Sequence, residues 1–180
     1  MSQMLTKEVN ATEIIETYDN ILLDAFGVLV NPEGAISHAP EFINQLHKSN
    51  KNFFVISNGS KYLPSKSAES YRKKGLNIPN DNVITSGGLL KDWFHTNPSM
   101  RLTKALGPAE STELLEWAGA ELTSTSNYST LVICNQDGFK FPEEIDITIS
   151  EIAKKIENNE RINLLLPNPD LIYPSEAGYG

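Results

Sequence analysis

Two short stretches put oxygen-bearing side chains where chemistry could happen. In "NILLDAFGVLVNPEG", residues 20 to 34, the apolar run Ile21, Leu22, Leu23 ends on Asp24, which is followed by a small turn and Gly27. In "NFFVISNGS" a second apolar run ends on Ser57, Asn58, Gly59 and Ser60. Short apolar runs closed by turn residues read as strands buried in a parallel sheet. The loops at the carboxyl ends of such strands form the ligand crevice, so Asp24 and Ser57 would stand at its mouth as neighbours. A carboxylate beside a hydroxyl and backbone amides suits phosphoryl transfer. The Asp would form an acyl phosphate as nucleophile, while hydroxyl and N–H donors hold the phosphoryl oxygens. Gly59 would let the backbone approach an anion closely. The bland reading stays open beside this one: Asp24 caps a turn, and "SNGS" is a turn and nothing more.

The elements that must position these residues alternate along the chain. Residues 40 to 49 carry Phe42, Ile43 and Leu46 at helical spacing, with Pro40 in the first turn. The strand at 52 to 57 precedes an amphipathic helix at 64 to 74, stopped by Gly75. "NVITSGG" reads as a third strand and "LLKDWFHT" as a helix ending before Asn97-Pro98. This order of strand and helix predicts an α/β fold with a parallel sheet and right-handed crossovers. The second half repeats the pattern, with strands in "MRLTKALG", "STLVICN" and "RINLLLPN". Helices follow in "PAESTELLEWAG" and "PEEIDITISEIAKKIENN", the latter with Ile145, Ile149, Ile152 and Ile156 as an apolar stripe. There is no fixed-period repeat, which excludes solenoids. The glycine pair at 87 and 88 and Asn97-Pro98 mark a boundary between two units.

Composition narrows the partners. Among 180 residues, 39% are hydrophobic and 21% charged, as in an ordinary globular chain. The net charge of −8 and pI of about 4.9 disfavour nucleic acid and anionic membrane, which bind through basic patches. An acidic protein handling an anionic substrate needs a local cation, so a metal would help. The amino end has no leader pattern and no run is long enough to span a membrane, which predicts a cytoplasmic protein. Cys134 is the only cysteine, and its apolar surroundings make it a buried strand residue rather than a catalytic thiol. His38, His47 and His95 are not spaced as metal ligands, and Trp93 and Phe94 read as packing residues between the two units.

The stretches "LLDAFGVL", "FFVISNGS", "VITSGGLL" and "LLLPNPDLIYP" together resemble the haloacid dehalogenase superfamily, in its NagD-like IIA subfamily with a type-two cap. The resemblance covers nearly the whole chain in the expected order. It implies a Rossmann-like core whose amino-terminal half spans residues 1–88, and an α/β cap at residues 89–180. It also implies Mg²⁺, with Asp24 as nucleophile and metal ligand and the Phe26 backbone carbonyl as a second ligand. Ser57, Asn58 and Gly59 correspond to the phosphate-binding motif, and Asn168 and Asp170 to a cap loop that can touch substrate; as plain residues, "NPD" is also an ordinary turn initiator. The implied substrate is a small phosphorylated metabolite, and cap-mediated homo-oligomers occur in similar proteins.

Two departures from the family pattern matter. The family carries a second Asp, the general acid and base, where this chain has Phe26. The motifs that supply a Lys and complete the metal site follow the cap in the family, and no Lys follows Lys155 here. The chain is expected to be a fragment of a longer protein, lacking the carboxyl-terminal half of the core, rather than a naturally shortened relative, the alternative that stays open, because a half core leaves a sheet edge bare. Two functions therefore stand: a Mg²⁺-dependent phosphatase working through an aspartyl phosphate, and an impaired relative that binds or regulates without turnover.

Overall fold

The computed structural model describes residues 9–135 and 137–168, together with the backbone of two short strands near the carboxyl end. The first unit opens with α1 (Ala11–Thr17), whose first turn is capped by the Asn10 side chain accepting the Glu13 amide. Then come β1 (Asn20–Asp24), the short hairpin β2 (Val30–Asn31) and β3 (Gly34–Ala35), α2 (Ala39–Lys48) and β4 (Asn52–Ser57). Next are α3 (Pro64–Lys73) and β5 (Val83–Thr85), after which α4 (Leu90–Thr96) leads into the core of the second unit. Neither α1 nor the hairpin is legible in the sequence, because each is too short to show a period.

Strands β1, β4 and β5 form a parallel sheet in that order, with Asp24 opposite Ile56 and Ser57 opposite Thr85. One face carries Ile21, Leu23, Phe53, Val55 and Val83 into a core shared with Ile43 and Leu46 of α2 and Ala68 and Tyr71 of α3. The other face is open. Leu22 is 64% exposed, Ile56 40% and Ile84 38%, so β1 is a half-exposed strand and not the fully buried one that its apolar run predicts. The physical reason is that α2 and α3 both cover the same face, and hydrophobicity in a strand does not reveal how many layers lie over it.

The second unit comprises β6 (Leu102–Leu106), α5 (Glu110–Ala118), β7 (Glu121–Leu122), β8 (Thr130–Ile133), α6 (Glu143–Glu157) and β9 (Asn163–Leu165). Near the end, β10 (Pro174–Ser175) pairs with β11 (Gly178–Tyr179). Its main sheet runs β7-β6-β8-β9, all parallel, and both faces are covered. Leu90 and Phe94 of α4 and Leu115 and Ala118 of α5 pack on Val132 and Cys134. On the other face Leu106, Tyr128 and Leu131 meet Ile145 and Ile152 of α6. Here the isoleucine stripe is corrected. Ile149 is 57% and Ile156 61% exposed, while Thr148 and Lys155 are buried. The inward face runs through 145, 148, 152 and 155, so two of the four isoleucines point away from the sheet. Lys155 is tolerated there because its ammonium pairs with Glu160 at 3.0 Å and lies 4.9 Å from the Tyr128 ring centre.

Candidate functional site

Three strand ends of the first sheet are laced together at their carboxyl side. The Ala25 N–H donates to the Ile56 carbonyl at 3.2 Å, the Ser86 N–H to the Ser57 carbonyl at 2.9 Å, and the Gly87 N–H to the Gly59 carbonyl at 3.1 Å. Asp24 and Ser57 therefore sit diagonally on adjacent parallel strands, the one opposite Ile56 and the other a residue further along. The Asp24 side chain is exposed, and its Oδ1 accepts the Ala25 N–H at 2.8 Å, which orients the carboxylate. Ser57 is half-buried, and its Oγ accepts the Gly59 N–H at 3.2 Å. Asn58 at the same turn is exposed. A carboxylate, a hydroxyl and a tight turn of amides thus share one rim, the arrangement that phosphoryl binding requires.

Gly27 follows with φ +82°, a conformation that favours glycine and lets the chain reverse just past Phe26. The reversal is closed by the Gly27 N–H on the Val30 carbonyl at 2.8 Å and the Val30 N–H on the Ala25 carbonyl at 3.0 Å. Neither bond uses the Phe26 carbonyl. The Phe26 ring itself is 46% exposed. A carboxylate and a backbone carbonyl two residues apart are hard oxygen donors of the kind Mg²⁺ takes, and Mg²⁺ is commonly held by one or two carboxylates plus substrate phosphate and water. The donors fit part of such a site. Among the described residues no cluster of three or more His, Cys, Asp or Glu could hold a metal alone.

Several residues that line this rim carried no signal in the sequence. Tyr71 is buried on α3 beneath this rim. Burial pushes its phenol above the ordinary value, with the Ser57 side chain offsetting part of the rise and the Asp24 charge adding to it. Gly87 is packed so tightly that a Cβ would come within 2.9 Å of the Ser60 backbone and 2.7 Å of Leu114 Cδ2. The helical spacing of Tyr71 was legible, but its direction depends on the seating of α3.

The second unit lies directly over the "SNGS" turn. Ser60 Oγ, buried, donates to the Cys134 carbonyl, and Lys61 lies 3.6 Å from Glu110 and 3.9 Å from Asp137. Lys66 pairs with Glu113, one turn further along α5. Cys134 is fully buried, as its apolar run predicts, and burial pushes its thiol up to about 11. A cavity of about 240 Å³ between the units is lined by Ser86, Leu89, Trp93, Leu165, Leu166 and Pro167. The half-buried Asn168 follows that lining, so the loop after β9 approaches the third strand end. Asp170 lies outside the described residues. His47 binds the Asn77 carbonyl through Nε2 at 2.7 Å, a structural contact. No helix among the described residues is long and apolar enough to cross a membrane.

Comparison with known proteins adds a family to this geometry. The family model described as haloacid dehalogenase-like hydrolase matches residues 21–121. The chain is 26% identical over 157 residues to a dihydroxyacetone phosphatase of Corynebacterium glutamicum (strain R), covering 87% of this chain and 54% of that protein. A crystal structure from Cytophaga hutchinsonii, described as a possible sugar phosphatase of the haloacid dehalogenase superfamily, superposes with a TM-score of 0.83 at 23% identity. It covers 97% of this chain and 63% of its own. The p-nitrophenyl phosphatase from Archaeoglobus fulgidus gives 0.76 at 20% identity, with coverages of 90% and 59%. The chain thus spans between about half and two thirds of the length of these relatives.

Proposed function

The chain belongs to the haloacid dehalogenase-like hydrolases, and from that premise we propose that it acts on a small phosphorylated metabolite through an aspartyl phosphate on Asp24. The observation that carries the reading is the register: Asp24 opposite Ile56, with the Ser57 hydroxyl and its turn next along the neighbouring strand. The Asp24 carboxylate attacks phosphorus, and the bond from phosphorus to the leaving oxygen breaks as the new one forms. The Ser57 hydroxyl and the Asn58 amide take the phosphoryl oxygens, and the Gly59 N–H, which donates to Ser57 Oγ, holds that hydroxyl in place at the turn. Water then attacks the same phosphorus, frees inorganic phosphate and restores the carboxylate. Asp24 and the Phe26 carbonyl would hold Mg²⁺, which screens the charge between carboxylate and phosphate. The loop carrying Asn168 and Asp170 belongs, on this reading, to the cap that selects the substrate.

Phe26 shapes the expected substrates. A phenyl ring neither protonates a leaving alkoxide nor activates water, functions typically worth about 10² to 10⁴ in rate. Leaving groups that depart without a proton, such as acetate from acetyl phosphate or an aryl oxide, suffer least. The dihydroxyacetone phosphatase and p-nitrophenyl phosphatase among the relatives support the phosphate-ester class.

The test is Mg²⁺-dependent release of phosphate from acetyl phosphate and p-nitrophenyl phosphate, with Asp24→Asn as control. Turnover that requires Mg²⁺ and vanishes in Asp24→Asn is the expected result. A second reading, a phosphate-binding relative without turnover, is favoured by Phe26. It predicts that phosphate binds and neither substrate is cleaved above the control.

A further inference from the structure

The "SNGS" turn is held from two sides. On the first unit's side the Gly59 carbonyl accepts the Gly87 N–H at 3.1 Å, and the Ser57 carbonyl accepts the Ser86 N–H at 2.9 Å. On the other side the second unit closes over it. Ser60, only 3% exposed, donates from Oγ to the Cys134 carbonyl, and the Cys134 N–H on the Leu106 carbonyl at 2.8 Å anchors that acceptor in the second sheet. Leu114 of α5, fully buried, lies so close to Gly87 that a Cβ there would meet both its side chain and the Ser60 backbone. Two lysines then reach the same helix. Lys61 lies 3.6 Å from Glu110 and 3.9 Å from Asp137, and Lys66, in the first turn of α3, pairs with Glu113. We infer that the second unit is a working part of the phosphate site: Ser60, Glu110 and Glu113 are positioning residues that clasp the turn and fix the Ser57 hydroxyl and the Asn58 amide where a phosphoryl group meets them. The inference rests on the phosphate-site reading above and extends that site to side chains that do not touch the anion.

The sign of the carboxylates separates such a clasp from plain electrostatics. Acidic side chains repel a nearby anion, so Coulomb's law alone has phosphate bind more tightly when Glu110 and Glu113 are neutralised. A clasp gives the opposite result. Neutralisation releases Lys61 and Lys66, the turn loses its outer support, and phosphate binds more weakly. Glu110 and Glu113 are both about half exposed, so each pair contributes modestly, whereas the Ser60 bond joins neutral groups inside the junction.

The experiment is titration of inorganic phosphate into the full chain with Mg²⁺ present, each variant being checked by circular dichroism. Glu110→Gln combined with Glu113→Gln is expected to weaken phosphate binding about two- to fivefold, the range open to exposed ion pairs. Glu113→Lys, which sets two lysines against each other, should weaken it as well, and adding Lys66→Glu should bring the affinity back to within about twofold of wild type. Coulomb's law alone predicts the reverse at both steps, and a loss of stability alone leaves the affinity of the folded protein where it was. Ser60→Ala should cost about two- to tenfold, the range of one neutral hydrogen bond. Should Ser60→Ala fail to fold, the charge variants, all at exposed positions of α3 and α5, decide without it. Unchanged or tighter binding after the double neutralisation overturns the inference, and so does a swapped pair that restores nothing. Wild type that binds no phosphate overturns the phosphate-site reading itself, whereas wild type that binds and variants that match it overturn the clasp alone.

Discussion

Position 26 lies two residues from a carboxylate that is oriented by a neighbouring amide, and its side chain is exposed beside the same strand end. Phe26→Asp should raise the turnover of an alkyl phosphate by about 10² to 10⁴, while acetyl phosphate changes by about tenfold or less. Steady-state rates on both substrates check this, and equal gains would show that leaving-group protonation is not what the chain lacks. Asp24 and Ser57 could be found in the sequence because each ends an apolar run, which is a local and readable event. Tyr71 could not, since a tyrosine amid polar helix residues looks alike whether it faces water or the core. The half-exposure of Leu22 was equally hidden: the residues on a strand do not state which faces are covered.

Helix α6 shows how an element can be placed well and its azimuth misread. The spacing of isoleucines gave the right helix, but the inward face is shared with Thr148 and Lys155, which a count of apolar residues passes over. Ile149→Lys and Ile156→Lys should each shift stability by no more than about 0.5 kcal/mol. Ile152→Ala, whose side chain packs on the Tyr128 and Leu131 cluster, should cost about 1–3 kcal/mol, less than for a fully buried site because it is only partly covered. Urea midpoints compare the three, and a costly Ile149→Lys would contradict this orientation. The hydrogen bond from Lys155 holds the Glu160 carboxyl below its usual range. A carboxyl lowered on folding adds stability above its unfolded value and loses it as pH falls through the folded one. Acid should therefore lower the urea midpoint less steeply in Glu160→Gln than in wild type, over the window from the ordinary glutamate value downward.

For the whole molecule, the two sheets differ in what covers them. The second is sandwiched by helices, whereas the first leaves Leu22, Ile56 and Ile84 exposed on one face and ends at β1 with no further strand paired to it among the described residues. Apolar patches and free edges of this kind favour association. The 180-residue chain alone should sediment as a concentration-dependent mixture, and Leu22→Lys combined with Ile56→Thr should shift it toward monomer. Sedimentation velocity at several concentrations decides this; a strictly monomeric wild type would show that the open face is not adhesive.

The junction between the two units contains a built-in clock. Cys134 is the single cysteine, fully buried, and the carbonyl of the same residue receives the Ser60 hydroxyl from the other unit. A thiol reagent can reach its sulfur only while that region stands open, and a thiol held near 11 reacts slowly until then. The labelling rate at mildly alkaline pH thus times the opening of the second unit's core next to the junction, without any engineered probe. Adding phosphate and Mg²⁺ should slow it if ligand at the "SNGS" turn steadies the Ser60 contact on the Cys134 carbonyl, and would leave it unchanged if the rim fills without that contact.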